Sequence, residues 1–159
     1  MSELNRGVMT RGESHAPRGR SVRFRTRGAS LGLTATRTDL LVRQIERGFP
    51  FKALESLAAL SGLSVALIAS VLGIPERTLA RRKTAGVLAP DESERLLRVS
   101  TVFEQAVELF EGDVAGAVTW LTSPKKALGH RTPLAYSRTE PGAREVENLI
   151  GRLEHGVFC

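Results

Sequence analysis

The run Ser64-Val65-Ala66-Leu67-Ile68-Ala69-Ser70-Val71-Leu72-Gly73-Ile74-Pro75-Glu76-Arg77-Thr78-Leu79-Ala80-Arg81-Arg82-Lys83 decides the fold of this chain. Its first half sets Val65, Ile68, Ala69 and Leu72 at spacing i, i+3, i+4, i+7, one face of a helix that Ser64 can cap. Gly73 suits the left-handed conformation that ends a helix, and Pro75, with φ already near the helical value, opens the next. Two short helices joined by Leu72-Gly73-Ile74-Pro75 have the length and turn chemistry of a helix-turn-helix, whose second helix enters the major groove of DNA. That second helix displays Arg77, Thr78, Arg81, Arg82 and Lys83. An Arg fork can bond two acceptors on guanine, and Thr78 with the free N–H groups at the helix start suits a phosphate oxygen. Arg82 and Lys83, near the helix end, suit backbone contact. The plainer alternative is that Arg81-Arg82-Lys83 only complements the negative end of the helix dipole.

The flanking sequence is helical too. Thr38 can cap a short helix carrying Leu40, Leu41 and Ile45 to Gly48, and Pro50 opens a helix Phe51 to Ser61 with Leu54, Leu57 and Ala58 on one face. Asp91 with Glu94 three residues on resembles a capping box, and it opens a long helix to Glu111. The stripe of that helix (Leu96, Val99, Phe103, Ala106, Val107, Phe110) is either a dimer surface or intramolecular core. Asp113 caps a helix with Val114, Ala117, Val118 and Leu121 inward, and a short turn follows Pro133. The last helix carries Val146, Leu149, Ile150 and Leu153. No segment sustains the two-residue alternation of a strand, so the fold class is all-α.

The length of 159 residues suits one domain or two small ones, and with 42% hydrophobic but only 5% aromatic residues the core must be aliphatic, which favours packed helices. The net charge of +6 is confined to residues 1–37, where eight Arg face two Glu; the remainder is neutral. Residues 1–36 lack hydrophobic periodicity and read as an unstructured basic leader, solvated, or alternatively an arm that tracks phosphates. Cys159 is the one cysteine, so no disulfide forms within the chain and a reducing compartment is expected. No apolar run reaches membrane-span length and no secretory signal is visible, so the expected location is the cytoplasm. His15, His130 and His155 lack metal-ligand spacing, Cys159 has no base partner, and Glu145, Glu147 and Glu154 fall on the polar face of the last helix. No catalytic residue, metal or cofactor is expected.

The end of the chain couples an amphipathic helix to a glycine-jointed apolar tip, Leu153-Glu154-His155-Gly156-Val157-Phe158-Cys159. Such an arrangement suits gripping another protein; equally, Val157 and Phe158 can fold back into the chain's own core.

From about Leu40 onward the chain resembles bacterial antitoxins of the Xre/MbcA/ParS type. The likeness is carried by Leu63-Ser64 through Gly73-Ile74-Pro75-Glu76-Arg77-Thr78-Leu79-Ala80-Arg81-Arg82. It extends to Ala127-Leu128-Gly129, Thr132-Pro133-Leu134 and Thr139-Glu140-Pro141-Gly142-Ala143, and to Val146 through Gly156. The resemblance implies an Xre-like helix-turn-helix domain over residues 37–98 and a small helical toxin-binding domain over 99–159. Such antitoxins pair with a RES-type toxin that destroys NAD, hold their C-terminal end at its active-site cleft, and bind their own promoter DNA, usually as a homodimer within a larger complex. Carried over by position, the toxin contacts would be Glu154, His155, Gly156, Val157, Phe158 and Cys159, backed by Ile150 and Leu153. Two positions depart from the pattern. Phe158 lacks the hydroxyl that members often carry on their final aromatic, and His130 stands where a second glycine is common. The alternative reading is a stand-alone helix-turn-helix repressor whose C-terminal domain only dimerises.

Overall fold

Glycine and proline punctuation sets the helix ends seen in the computed structural model, which describes residues 21–156. Helix α1 spans Thr38–Arg47 and ends at Gly48; α2 spans Phe51–Ser61 between Pro50 and Gly62; α3 spans Val65–Leu72; α4 spans Glu76–Ala85 and ends at Gly86. The long helix α5 covers Pro90–Leu109, followed by α6 (Val114–Leu121), α7 (Pro133–Tyr136) and α8 (Glu140–Glu154). The described residues hold no strand, only isolated bridges at Pro50–Val87 and Lys125–Arg131. The all-α expectation is met. No single described helix is long and apolar enough to cross a membrane.

Two caps differ from expectation. Thr38 lies inside α1, and Arg37 occupies the cap position. At α5 the Asp91–Glu94 box does not form; instead the Glu92 carboxylate accepts from the Ala89 backbone N–H at 2.8 Å. Glu92 sits at the third helical position, where a carboxylate reaches back most readily to the cap.

Helix α5 is the mast of the fold. At 1.5 Å per residue it is about 30 Å long, and it packs against α1, α6 and α8. Leu96, Val99, Val102, Phe103, Ala106 and Val107 are all buried. That consumes most of the apolar stripe within the chain, so of the two readings of this helix the structure realises intramolecular core. Its Ser93 hydroxyl accepts from Phe49 N–H and donates to the Ala89 carbonyl, both at 2.8 Å, tying the α1–α2 connection to the start of the mast.

The expected unstructured leader needs correction over residues 21–36. Leu31 and Leu33 are buried, the Phe24 ring lies 5.8 Å from that of Phe103, and Ala29–Leu31 form a 3₁₀ turn. The buried Glu104 carboxylate holds this segment, accepting from Gly28 N–H at 3.2 Å, Ser30 N–H at 2.8 Å and the Ser30 hydroxyl at 2.6 Å. Burial pushes the Glu104 carboxyl above the ordinary range, opposed by the bonds from Ser30 and Gly28 and by the nearby Arg27 charge. The segment satisfies its polar groups on a side chain of α5, so it needs no periodicity of its own.

Candidate functional site

The local chemistry of the α3–α4 pair follows from its sequence. Ser64 Oγ accepts from Leu67 N–H at 3.1 Å, and Ile68, Ala69 and Leu72 bury one face of α3. Gly73 adopts φ +71, and Ile74 N–H reaches back to the Ala69 carbonyl at 2.9 Å while the Ile74 side chain is buried. This doubly bonded, hydrophobically pinned stop redirects the chain within three residues. Helix α4 then contributes no fully buried residue; Leu79 is its apolar contact with the core.

A helix that buries so little presents its outer side to solvent. Arg77, Ala80, Arg81 and Thr84 are exposed, and at 3.6 residues per turn they share one face, with small side chains between the two Arg. Arg77, Arg81 and Lys83 have no carboxylate within ion-pair distance among the described residues. Thr78 is half-buried at the edge of this face. Lys83 is exposed, but two residues past Arg81 it lies on roughly the opposite side of the helix, so the two cannot line one groove wall together.

Arg82, expected among the DNA-backbone contacts, is paired within the chain. Its Nε–H donates to Glu92 at 2.8 Å, with the Arg82 side chain 25% exposed and the Glu92 side chain 6%. The hydrogen bond that Arg82 donates to Glu92, and the Glu92 charge, raise the Arg82 pKa. This guanidinium fastens α4 to the N-terminus of α5. Sequence reasoning also missed Arg138, in the connection between α7 and α8, whose guanidinium lies over the Gly73 backbone at the helix-turn-helix corner.

In the residue after Arg138, Thr139 Oγ1 accepts from Gly142 N–H at 3.2 Å and caps α8. A side chain at Gly142 would collide with the Tyr136 carbonyl, so this position accepts only glycine. Ala143, Val146 and Ile150 are buried. Ile150, expected among the partner contacts, therefore belongs to the chain's own core. Leu153 is half-buried, and Glu154, His155 and Gly156 are exposed. Gly156 has φ +66, whereas Gly151 remains within α8, so the joint after the helix is Gly156 alone. Val157, Phe158 and Cys159 lie outside the described residues.

His130 adopts φ +63 directly after Gly129 at φ +62. The loop thus keeps the left-handed geometry that a second glycine would favour. A cleft of about 1080 Å³ between residues 22–27 and α5 is lined by Arg23, Arg25, Glu108 and Glu111 among others, with no His or Cys in its wall. No group of three His, Cys, Asp or Glu among the described residues could hold a metal ion.

Residues 40–100 match the family model described as the antitoxin Xre-like helix-turn-helix domain. Residues 105–156 match that of the antitoxin Xre/MbcA/ParS C-terminal toxin-binding domain, so the two matches meet inside α5. A protein of Yersinia enterocolitica named Antitoxin Xre is 46% identical over 129 residues, 80% of this chain and 87% of that protein. One of the same name from Photorhabdus laumondii is 37% identical over 114 residues, 71% and 77% of the two chains. A third, from Pseudomonas putida, is 33% identical over 84 residues, 52% of each.

Proposed function

The chain belongs to the Xre antitoxin family, and from that premise we propose that it neutralises a cognate RES-type, NAD-degrading toxin by inserting its C-terminal end at the toxin's active site, and that it binds its own promoter DNA through α4. One observation carries the first half. The domain whose family description is toxin-binding finishes on exposed Glu154 and His155, with Gly156 as a left-handed joint. A glycine at a left-handed φ ends a helix and lets the chain leave the helix axis. Leu153, Glu154, His155, Gly156, Val157, Phe158 and Cys159 form the grip, with Phe158 as the apolar anchor. The DNA half is supported by the exposed Arg77–Arg81 face of α4. A homodimer inside the toxin complex would supply the two-fold symmetry that paired half-sites require. Both partners, the promoter and the NAD-consuming toxin, belong to the cytoplasm.

Deleting the residues after Leu153, and separately Phe158→Ala, tests the insertion. Both variants are expected to lose neutralisation of the toxin while binding promoter DNA as the intact chain does. Full neutralisation by the truncated chain would refute insertion of the end. Promoter binding in a chain without any toxic partner would identify a stand-alone repressor.

A further inference from the structure

We propose that Arg138, carried by the toxin-binding domain, is a DNA-backbone contact beside α4, so that the DNA-binding surface is built from both domains. The inference rests on the reading of α4 as a DNA-recognition helix.

The geometry is specific. A Cβ built on Gly73 would lie 2.7 Å from Arg138 Cζ and 3.0 Å from Arg138 Nε, so the guanidinium lies against the corner between α3 and α4. A side chain at this position would displace the Arg138 guanidinium, and the backbone at φ +71 favours glycine. The other end of Arg138 is also fixed. Its carbonyl accepts from Arg98 Nη1 at 3.0 Å, and Arg98 in turn pairs with Glu94 at 3.1 Å and Glu140 at 3.7 Å. Arg98 thus spans α5 to the start of α8 and holds the backbone of Arg138 in place.

The backbone of Arg138 is held, but its guanidinium has no carboxylate within ion-pair distance among the described residues. Glu76, the acidic residue at the start of α4, is exposed and is not paired with it. Arg138 is itself exposed. An exposed guanidinium lying against Gly73, at the corner that leads into the helix of Arg77, fits a phosphate oxygen of a strand lying along α4. It positions the duplex without reading a base, because it stands at the corner that precedes the helix.

The test uses the full chain, the DNA immediately upstream of its reading frame, and a scrambled duplex of equal length, titrated from low to high salt. Arg138→Gln is expected to weaken both duplexes alike, roughly three- to tenfold, and to flatten the salt dependence by about one counterion. Arg138→Lys should keep the slope of the intact chain. A thermal melt of each variant checks the fold; a merely structural role would lower Tm without moving the salt slope. Unchanged affinity and slope in Arg138→Gln, with Arg77→Ala still weakening the promoter complex, would overturn this inference alone. Loss of toxin capture with intact DNA binding would overturn it as well. If the intact chain binds neither duplex at any salt, the DNA reading of α4 falls, and this inference with it.

Discussion

The Arg82 guanidinium and the Glu92 carboxylate meet at 2.8 Å across the α4–α5 junction, and the same carboxylate oxygen caps α5 by accepting from Ala89 N–H. One side chain therefore starts the mast of the fold and holds the C-terminal part of α4 against it. Glu92→Ala should destabilise the chain by about 1–2 kcal/mol through the lost cap alone, with further loss from the released Arg82. Arg82→Ala should lower Tm by a smaller amount and leave the preference for promoter over scrambled DNA intact. Chemical denaturation and a two-duplex titration on the same preparations check both.

Arg77 and Arg81 face solvent one turn apart, with no carboxylate within ion-pair distance among the described residues. If they read bases, Arg77→Ala and Arg81→Ala should each cost about 1–3 kcal/mol of specific affinity and relax the promoter preference, with Tm unchanged. The measurement is a pair of titrations at fixed salt, since non-specific affinity moves steeply with ionic strength. Lys83→Ala should weaken both duplexes slightly and equally.

Much of this surface was legible in the sequence, because helix punctuation is local. Ser64, Gly73 and Pro75 act within one turn of themselves, and they fixed the ends of α3 and the start of α4. Partnerships across the fold were not legible. Glu104 meets Ser30 across 74 positions, and nothing in the Arg-rich stretch 21–36 announces that its polar groups will be satisfied on α5. Arg82 read as a surface cation because its partner sits on the next helix. Ile150 read as a partner contact because an amphipathic stripe does not state whether its own core or another protein will cover it.

Glu104 predicts a pH dependence. Burial raises its folded-state pKa above that of the unfolded chain, so between those two values the folded state binds more protons. Its contribution to stability is then greatest below the unfolded pKa and falls as pH rises through the folded one. Denaturation of the intact chain beside Glu104→Gln, from neutral pH down to the ordinary carboxylate range, should show the intact chain gaining on the variant as pH falls. Parallel curves would contradict the assignment.

His130 holds a left-handed conformation at φ +63 in an exposed loop. His130→Gly should stabilise the chain by up to about 1 kcal/mol, the strain relieved less the extra backbone entropy of glycine in the unfolded state. A rise in the denaturation midpoint at constant slope is the expected signature.

Neutralisation of an NAD-degrading toxin, as proposed for this chain, should be visible in cellular NAD. The reading frame adjacent to this one is expressed alone, then together with this chain, and NAD is measured alongside growth and copurification. NAD is expected to collapse and growth to stop with the neighbour alone, and both to recover when the two proteins copurify as a complex. A harmless neighbour that leaves NAD untouched and does not bind this chain would contradict it.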